Sequence, residues 1–486
     1  MRMRWVAMMV GVLVCVSMAA GQDDAGVELQ TRLTKIVRDY EKASGATVGV
    51  CVRDSRTGTI VAGLQSNRLM SPASNLKLLT SAAAVEELGD DYEFSTKVYL
   101  DGQDVIVVGG FDPTLGDARL AEAANRTIYA RIDTWVTAAK AELGDKPVGD
   151  IVLVCPGQPD DWRNADWKPA QFTYWYAAPA AALNFNNNCL DVTFDVEDGQ
   201  VTPHVSPASE FIEIENTATV GSRHRWGVRP AADLSSVTVF GTVTQSTTEP
   251  LSVAIDNPPK LLARVLADRF AQADVTIGGR VRVASETGNL LDNAKEIAET
   301  TTPIKHVLWR VNKHSLNMAA ECLLLKMGDG TWDDGLEVMS DTLVDDFGLE
   351  MTEFTLADGS GLAADNKVTA SAMTSVLAQA VKREGGLVLA ASLPKSGTEG
   401  KLANRMDAAA YKGRVLGKTG YIVGTQALSG YILESENRPV MTYSIMVNKV
   451  PGGQGSVAKA AQDDICRLLV DHIDAQTEVV AESDED

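Results

Sequence analysis

The sequence predicts an α/β (α+β) fold in which an antiparallel sheet covered by helices is interrupted by a β-rich insertion. Amphipathic helix patterns lie near both ends of the chain, at 26–43 and 456–473. Strand patterns lie inside them, at 47–52, 59–62 and 441–447. Because strands and helices occur at both ends, we expect one sheet built from distant halves of the sequence.

The long segment between these halves predicts the insertion. Ser74 and Ser315 are 241 positions apart, far more than a loop connection needs. Most apolar runs between them are short and rich in β-branched residues, as is typical of strands. The predicted strands are 105–108, 150–154, 190–196, 211–214, 237–243, 251–255 and 275–277, and 258–273 is a predicted helix.

These patterns divide the chain into consecutive regions. Its 486 residues are enough for two or three cores. The expected boundaries are a leader at 1–21, the first part of the sheet domain at 22–93, the insertion at 94–285 with a nested β subdomain at roughly 190–250, the second part of the sheet domain at 286–476, and an acidic tail at 477–486.

The first 21 residues have the pattern of a secretory signal peptide. A basic start at Met1–Arg4 precedes an apolar run at Trp5–Val16 and small residues at Ser17–Gly21. The apolar run is shorter than the ~20 residues that span a bilayer. We therefore expect an exported protein of the periplasm or cell envelope, without an integral membrane anchor.

Composition narrows the choice of partners. The chain has 44 basic and 65 acidic residues, a formal net charge of −21, which disfavours binding to nucleic acid. Its histidines and cysteines lack metal-ligand spacing, so we expect no metal and no other cofactor. After loss of the leader five cysteines remain, so at least one thiol is unpaired within the chain; Cys155 and Cys189 are candidates for a bridge that the sequence does not determine.

The first chemical motif is Ser74-Asn75-Leu76-Lys77. Ser71 is a candidate N-cap and Pro72 suits a first helical position, so Ser74 is expected near a helix N-terminus. Residues three apart share a helix face, so a neutral Lys77 can accept the proton of the Ser74 hydroxyl. Alone, this spacing is weak evidence for a catalytic site, because a capped helix with a solvated lysine has the same sequence pattern.

The second and third motifs are Ser315-Leu316-Asn317 and Lys418-Thr419-Gly420. The third lies in a glycine-flanked segment with a strand and hairpin pattern. It also looks like a phosphate-binding loop, but only three residues separate Gly413 and Gly417 where that loop has four. A second cation such as Lys418 would lower the pKa of Lys77, and Gly420 would allow close approach of a substrate backbone. Together the three motifs predict acyl transfer through a serine ester.

With these motifs, the chain resembles the D-Ala-D-Ala carboxypeptidase/endopeptidases among the low-molecular-weight penicillin-binding proteins, in the form with a large insertion after the nucleophile helix. The resemblance covers nearly the whole mature chain. Further matching segments are Asp112-Pro113-Thr114-Leu115, Tyr176-Ala177-Ala178-Pro179, Ala182-Leu183-Asn184, Asp358-Gly359-Ser360-Gly361-Leu362, and Leu393-Pro394 with Gly397, Gly400, Leu402 and Arg405.

The resemblance implies a penicillin-binding/β-lactamase-like catalytic domain and a role for each motif residue. Ser74 would be the acylated nucleophile, Lys77 its general base, and Ser315 a proton relay. Asn317 would hold the substrate amide. The remaining implied binding residues are Lys418 and Thr419 for the terminal carboxylate and Tyr421, whose N–H would complete an oxyanion hole. The implied substrates are peptidoglycan peptides, with β-lactams as acylating inhibitors.

Two positions depart from the family pattern. Cys155-Pro156-Gly157 stands where the family has two adjacent acids and an aromatic residue, and Ala363-Ala364 stands where it has serine and arginine. Those residues help to recognise the charged end of a diaminopimelate side chain, so we expect an altered pocket; Asp160 and Asp161 are candidates to replace the missing acid. A cluster of aromatics nearby could bind a ligand or pack between domains: Trp162, Trp167, Tyr174, Trp175 and Tyr176.

Two alternative functions remain. A serine β-lactamase shares the three motifs, but no E-x-x-L-N or E-x-x-x-L-N segment supplies a deacylating glutamate. A non-catalytic wall-binding scaffold is compatible with the altered pocket, although intact Ser74, Lys77 and Lys418 favour catalysis.

Overall fold

This computed structural model describes residues 25–157, 162–383, 385–434 and 438–484. Its helices are α1 (25–44), α2 (Leu76–Leu88), α3 (Ala118–Ala123), α4 (Ala130–Leu143), α5 (Pro258–Gln272), α6 (Ile304–Lys313), α7 (Asn317–Met327), α8 (Trp332–Asp341), α9 (Ala370–Ala380), α10 (Leu387–Ala391) and α11 (Gly455–Asp484). The predicted leader at 1–21 lies outside the described residues.

The strands form two five-stranded sheets, two three-stranded sheets and one short pair. They are β1 (Thr47–Asp54), β2 (Ile60–Leu64), β3 (Glu93–Asp101), β4 (Asp104–Val108), β5 (Ile151–Val154), β6 (Cys189–Glu197), β7 (Gln200–Ser206), β8 (Glu213–Val220), β9 (Arg225–Pro230), β10 (Ser236–Val243), β11 (Leu251–Ala254), β12 (Val281–Ala284), β13 (Lys295–Pro303), β14 (Phe354–Thr355), β15 (Lys367–Val368), β16 (Val415–Ile422), β17 (Thr425–Leu433) and β18 (Pro439–Asn448).

The main sheet has the order β16-β17-β18-β1-β2 and is antiparallel throughout. Val48, Val50 and Val52 alternate along β1 and pack in one core with apolar residues of α1 and α11. Cys51, on the opposite face, packs in a second core with residues of α2 and α9. The sheet is therefore built from both ends of the chain and covered by helices, and the predicted fold class is confirmed.

The insertion contributes the three-stranded sheets and most of the second five-stranded sheet, whereas the short β14–β15 pair follows α8 in the second part of the main domain. This five-stranded sheet has the order β12-β5-β4-β3-β13, and β13 pairs antiparallel with β3 before the chain enters α6. The three-stranded sheets have the orders β11-β6-β7 and β8-β10-β9. The strands at the two ends of this part of the chain, β3 and β13, thus pair with each other. The chain therefore returns to the main domain close to where it left.

Several predicted elements differ from the structure. Residues 275–277 form no strand, only a bridge between Ile277 and Val148. The strand predicted at 211–214 is β8, which begins at Glu213 and is almost wholly exposed, so it has no buried alternation to detect. β3 and β13 are absent from the predicted set. β3 carries a buried alternation of Phe94, Thr96 and Val98 that the predicted strands omit, whereas charged residues and threonines dominate β13, which pairs with β3 and packs against α4.

Two further features of the described chain are the state of its cysteines and the character of its helices. The five cysteines of the described chain, Cys51, Cys155, Cys189, Cys322 and Cys466, are buried free thiols, so Cys155 and Cys189 are not bridged. Within the described ranges, no helix has both the length and the apolarity to cross a bilayer.

Candidate active site

Ser74 lies in a tight turn at the start of α2. A 3₁₀ turn over Ala73–Asn75 runs directly into the helix, and Ala73 adopts the left-handed backbone conformation at φ 45°. The predicted N-cap is wrong: within the described chain, the buried Ser71 hydroxyl has no hydrogen-bond partner. The side chain of Asn448 fixes this segment instead, because it bonds to both the N–H and the C=O of Ser71, at 2.9 and 3.1 Å.

Lys77 points at the Ser74 hydroxyl from the next turn of the helix. Its Nζ lies 3.1 Å from Ser74 Oγ, and it also donates to Asn317 Oδ1 and to the C=O of Ser360, both at 2.6 Å. The side chain is fully buried. Burial lowers the pKa of Lys77 to about 7, against the opposing effect of the Asp358 and Glu321 carboxylates. A large fraction of Lys77 is therefore neutral near pH 7.

The second motif lies where α6 ends and α7 begins. Ser315 occupies the left-handed region at φ 60°, and Asn317 is the first residue of α7. The Asn317 amide links two sides of the site: its Oδ1 accepts from Lys77, and its Nδ2 donates to the C=O of Tyr176 at 2.6 Å. Tyr176 belongs to the insertion, so this contact joins the insertion to the catalytic helices.

Lys418 lies on β16, the edge strand of the main sheet. Its Nζ donates to Ser315 Oγ and to the C=O of Thr419, both at 2.8 Å. The side chain is 1% exposed. Burial, reinforced by the positive charges of Lys77 and Lys401, holds the pKa of Lys418 well below its ordinary value. Ser74–Lys77 and Ser315–Lys418 are thus two serine–lysine pairs in one site.

The other residues of the third motif have distinct positions. A β-carbon at Gly420 would lie 2.7 Å from the C=O of Pro72 and 3.0 Å from Asn75 Oδ1. The packing of the Ser74 turn against β16 is therefore one structural reason for this glycine, and the approach of a substrate backbone stays a prediction. Thr419 is half-buried, and Tyr421 is 67% exposed at the end of the strand.

Two buried acids lie beneath Lys77, and the motif search missed both as functional residues. Glu321 is fully buried; its Oε2 accepts from the N–H of Gly359 and from the Trp332 indole, both at 3.0 Å. Burial and the neighbouring Asp358 raise the pKa of Glu321 to about 7. The available signal was its position four residues after Asn317, which puts both side chains on one face of α7.

Asp358 organises the loop that supplies the Ser360 carbonyl to Lys77. Its carboxylate accepts from the N–H of Gly361 at 2.6 Å, the N–H of Ala363 at 2.7 Å, and the Asn366 amide and Trp167 indole, both at 2.9 Å. The loop geometry that positions Lys77 is therefore set by one buried carboxylate.

The aromatic cluster divides between two environments. Trp162 and Trp167 are buried, and Trp167 joins the insertion to the Asp358 loop, where Ala363 packs with it in a small apolar core. Tyr174 and Trp175 are 52% and 44% exposed. At the two departures from the family pattern, Cys155 and Ala363 are buried and Ala364 is exposed, whereas Asp160 and Asp161 lie outside the described residues.

A buried lysine beside a serine hydroxyl, with a second lysine–serine pair adjacent, is the arrangement of serine enzymes that act by acyl transfer. In the described part of the chain, no cluster of histidine, cysteine and acidic side chains could hold a metal ion. The fold and the site together define the class of serine hydrolases that act by acyl transfer.

The chain belongs to the D-Ala-D-Ala carboxypeptidase 3 (S13) family, whose model matches residues 29–471. It is 29% identical to the D-alanyl-D-alanine carboxypeptidase of Actinomadura sp. strain R39 over 91% of this chain and 85% of the relative. It is 25% identical to the carboxypeptidase DacB of Haemophilus influenzae over 82% of this chain and 84% of the relative. The chain is thus a serine hydrolase of the D-Ala-D-Ala carboxypeptidase type.

A solved structure supports the same fold. Penicillin-binding protein 4 (DacB) of H. influenzae matches with a TM-score of 0.74 and 21% identity over 90% of this chain and 99% of that one. The same H. influenzae protein in complex with a β-lactam matches with a TM-score of 0.68. At these identities the likeness concerns the fold, and it extends through the insertion as well as the main domain.

Proposed function

We propose that Ser74 is the nucleophile and Lys77 the general base of a D-Ala-D-Ala carboxypeptidase reaction. The observation that carries the proposal is the 3.1 Å contact between Lys77 Nζ and Ser74 Oγ, made by a fully buried lysine whose pKa is lowered to about 7. A base with a pKa near the working pH is both deprotonated and basic enough to accept a proton.

The proposed cycle has two halves. Ser74 Oγ attacks the carbonyl between the two terminal D-alanines while its proton passes to Lys77, and the C–N bond then breaks to give a serine ester. The leaving amine takes a proton through Ser315, which is bonded to Lys418. In the second half a water gives a proton to Lys77, which is neutral again, and attacks the ester carbonyl. The bond between that carbon and Ser74 Oγ breaks, and Oγ takes the proton back from Lys77.

The remaining motif residues are proposed to bind substrate. Lys418 and Thr419 would hold the terminal carboxylate, and Asn317 the substrate amide. The backbone N–H groups of Ser74 and Tyr421 would form the oxyanion hole. The contact of Lys418 with Ser315, in a site where the charge of Lys77 also acts on Lys418, supports this assignment.

The proposed substrates are peptidoglycan stem peptides, and D-alanine cross-links for an endopeptidase activity. β-Lactams would acylate Ser74, and the protein would act in the periplasm or cell envelope. The H. influenzae relative's β-lactam complex and the leader pattern at 1–21 support these assignments. The proposed domains are a main domain at 22–93 and 286–476, which carries the nucleophile, and an insertion at 94–285 that flanks it.

Intact-protein mass, followed over time after penicillin addition, tests the proposed function. A stable gain of the penicillin mass is expected, because hydrolysis of the penicilloyl ester lacks a dedicated deacylating glutamate. Rapid loss of the added mass would indicate a β-lactamase, and no gain at all would indicate a non-catalytic scaffold.

Lys418→Ala is expected to weaken turnover of peptides with a free C-terminal carboxylate more than turnover of the same peptides as C-terminal amides. A charge-assisted contact is worth ~1.5–3 kcal/mol, so the extra loss on the acids should be about 10- to 150-fold. The measurement is kcat/KM on both substrates with both enzymes. Equal losses would leave Lys418 a role in tuning Lys77 only.

The altered positions Cys155 and Ala363 predict relaxed side-chain specificity. A free diaminopimelate end carries both an ammonium and a carboxylate, and leaving either unmatched costs desolvation free energy. We expect kcat/KM for stems with amidated or cross-linked diaminopimelate to fall within about tenfold of that for the free form. A much stronger preference for the free form would mean that other residues, such as Asp160 or Asp161, rebuild the pocket.

Glu321→Gln is expected to move the acid limb of the kcat/KM pH profile to lower pH. The Glu321 carboxylate raises the pKa of Lys77, so its loss lowers that pKa, and the neutral base then persists to lower pH. The plateau should change by less than about tenfold, because Glu321 does not touch Ser74. Glu337→Gln, an exposed glutamate on α8, is the matched control and should leave the acid limb in place.

A further inference from the structure

A groove of about 990 Å³ lies in the insertion between α5 and β12. None of the active-site residues lines it. The α5 wall includes Ala263, Ala267 and Ala271, whose spacing of four places them on one helix face. Their small side chains leave room between the helix and the strand. The groove is thus a separate feature, formed where the helix stands away from the edge of a sheet.

The other wall is an open strand edge. β12 is the last strand of its sheet and pairs only with β5. The C=O groups of Arg280 and Ala284 accept from the N–H groups of Ile151 and Cys155, at 2.9 and 2.8 Å. In a parallel ladder alternate residues bond to the same neighbour, so the backbone groups of the intervening odd-numbered residues point away from β5.

Those intervening residues face the groove. Val281 and Val283 are 46% and 42% exposed, and within the described ranges their outward N–H and C=O groups have no partner. Val281, Arg282 and Val283 all line the groove, although consecutive side chains point to opposite faces of a strand. The groove therefore follows the edge of β12 rather than covering one of its faces.

The groove also has a charge opposite to that of the whole protein. Its lining contains three cations, Lys260, Arg264 and Arg282, and one acid, Asp274, in a chain of net charge −21. Arg282 is paired with Asp150 at 3.5 Å, and Arg264 donates to the C=O groups of Phe211 and Asp233. In the described part of the chain, Lys260 forms no direct ion pair, and the nearby Asp233 carboxylate, whose charge acts on Lys260 and Arg264, does not line the groove. A positive site on an acidic protein favours a negatively charged ligand.

We propose that this groove binds an extended, acidic peptide segment of a partner protein, which adds to β12 as the next strand of the sheet. Main-chain hydrogen bonds to Val281 and Val283 would give affinity, as in other cases of strand addition. Apolar side chains of the peptide would lie against Ala263 and Ala267, and its carboxylates near Lys260. A second copy of this chain fits less well, because pairing two such edges would bring like charges together.

The test uses a short fluorescein-labelled peptide that alternates glutamate and valine. Fluorescence anisotropy should show saturable binding that weakens with added salt. A lysine–valine peptide of the same length should bind about tenfold more weakly or not at all, and so should the glutamate peptide with N-methylated backbone amides. Hydrogen exchange of 281–284 should slow on binding.

Two protein variants locate the site. Val283→Pro removes an outward N–H from the strand edge, and Lys260→Glu reverses a charge; each should weaken peptide binding by about tenfold or more. Unchanged thermal unfolding and penicillin acylation would establish that both variants are folded. Three results would overturn the proposal. The lysine peptide could bind as well as the glutamate peptide, binding could survive Val283→Pro or N-methylation, or the folded wild-type protein could fail to bind. A stable dimer that excludes the peptide would identify a second copy as the occupant, and overturn it too.

Discussion

Ser74→Ala is expected to abolish peptide cleavage and covalent labelling by penicillin, with a loss of activity on the order of 10⁶-fold. Ser74 Oγ contacts Lys77, whose pKa is lowered to about 7, whereas the second serine of the site, Ser315, contacts Lys418. Without Oγ no ester can form. The measurement is intact mass after penicillin treatment, together with release of D-alanine from a stem peptide.

A matched control separates chemistry from folding. Ser71→Ala removes a hydroxyl from the same segment, one that has no hydrogen-bond partner within the described chain. Both variants should keep a near-wild-type melting temperature, whereas only Ser74→Ala should lose labelling. Labelling retained on another residue of the Ser74→Ala protein would refute the assignment of the nucleophile.

The strands and helices of the main domain were predicted well because each carries its own apolar pattern within a short stretch of sequence. β1, β16 and β18 are buried on both faces or alternate cleanly, and the helices at the two ends of the chain carry clear apolar stripes. The insertion was less predictable. β8 exposes nearly every side chain, and β13 is a polar strand stabilised by pairing with β3, which is information that no single segment contains.

In the candidate site too, contacts between neighbours in sequence could be predicted and contacts between distant segments could not. Motif spacing was enough to place Lys77 beside Ser74, because the 3₁₀ turn that holds Ser74 runs directly into α2, which holds Lys77. It did not predict the acids below Lys77, since Glu321 and Asp358 reach it from α7 and from a loop whose shape depends on tertiary contacts. The role of Asn448 in holding the Ser71 segment was equally hidden, because 377 positions separate the two residues.

Lys77→Met is expected to slow acylation by penicillin on the order of 10⁴-fold, because the Ser74 hydroxyl is a weak nucleophile without a base. Methionine keeps most of the buried volume, and it avoids the cavity that alanine would leave. The wild-type acylation rate should rise with pH through about 7, as Lys77 loses its proton, since the pKa of Lys77 is lowered to about 7. The variant should lose this rise along with most of its rate.

Stopped-flow acylation across pH, with a melting curve for each protein, provides the measurement. Lys326→Met, which removes a partly exposed lysine near the end of α7, is the control and should leave both the rate and its pH dependence unchanged. Folded Lys77→Met protein that acylates at a near-normal rate would require a different base. Lys418 is the only other buried lysine within the described site, and because it donates to Ser315, the nucleophile and the proton relay would then have to exchange roles.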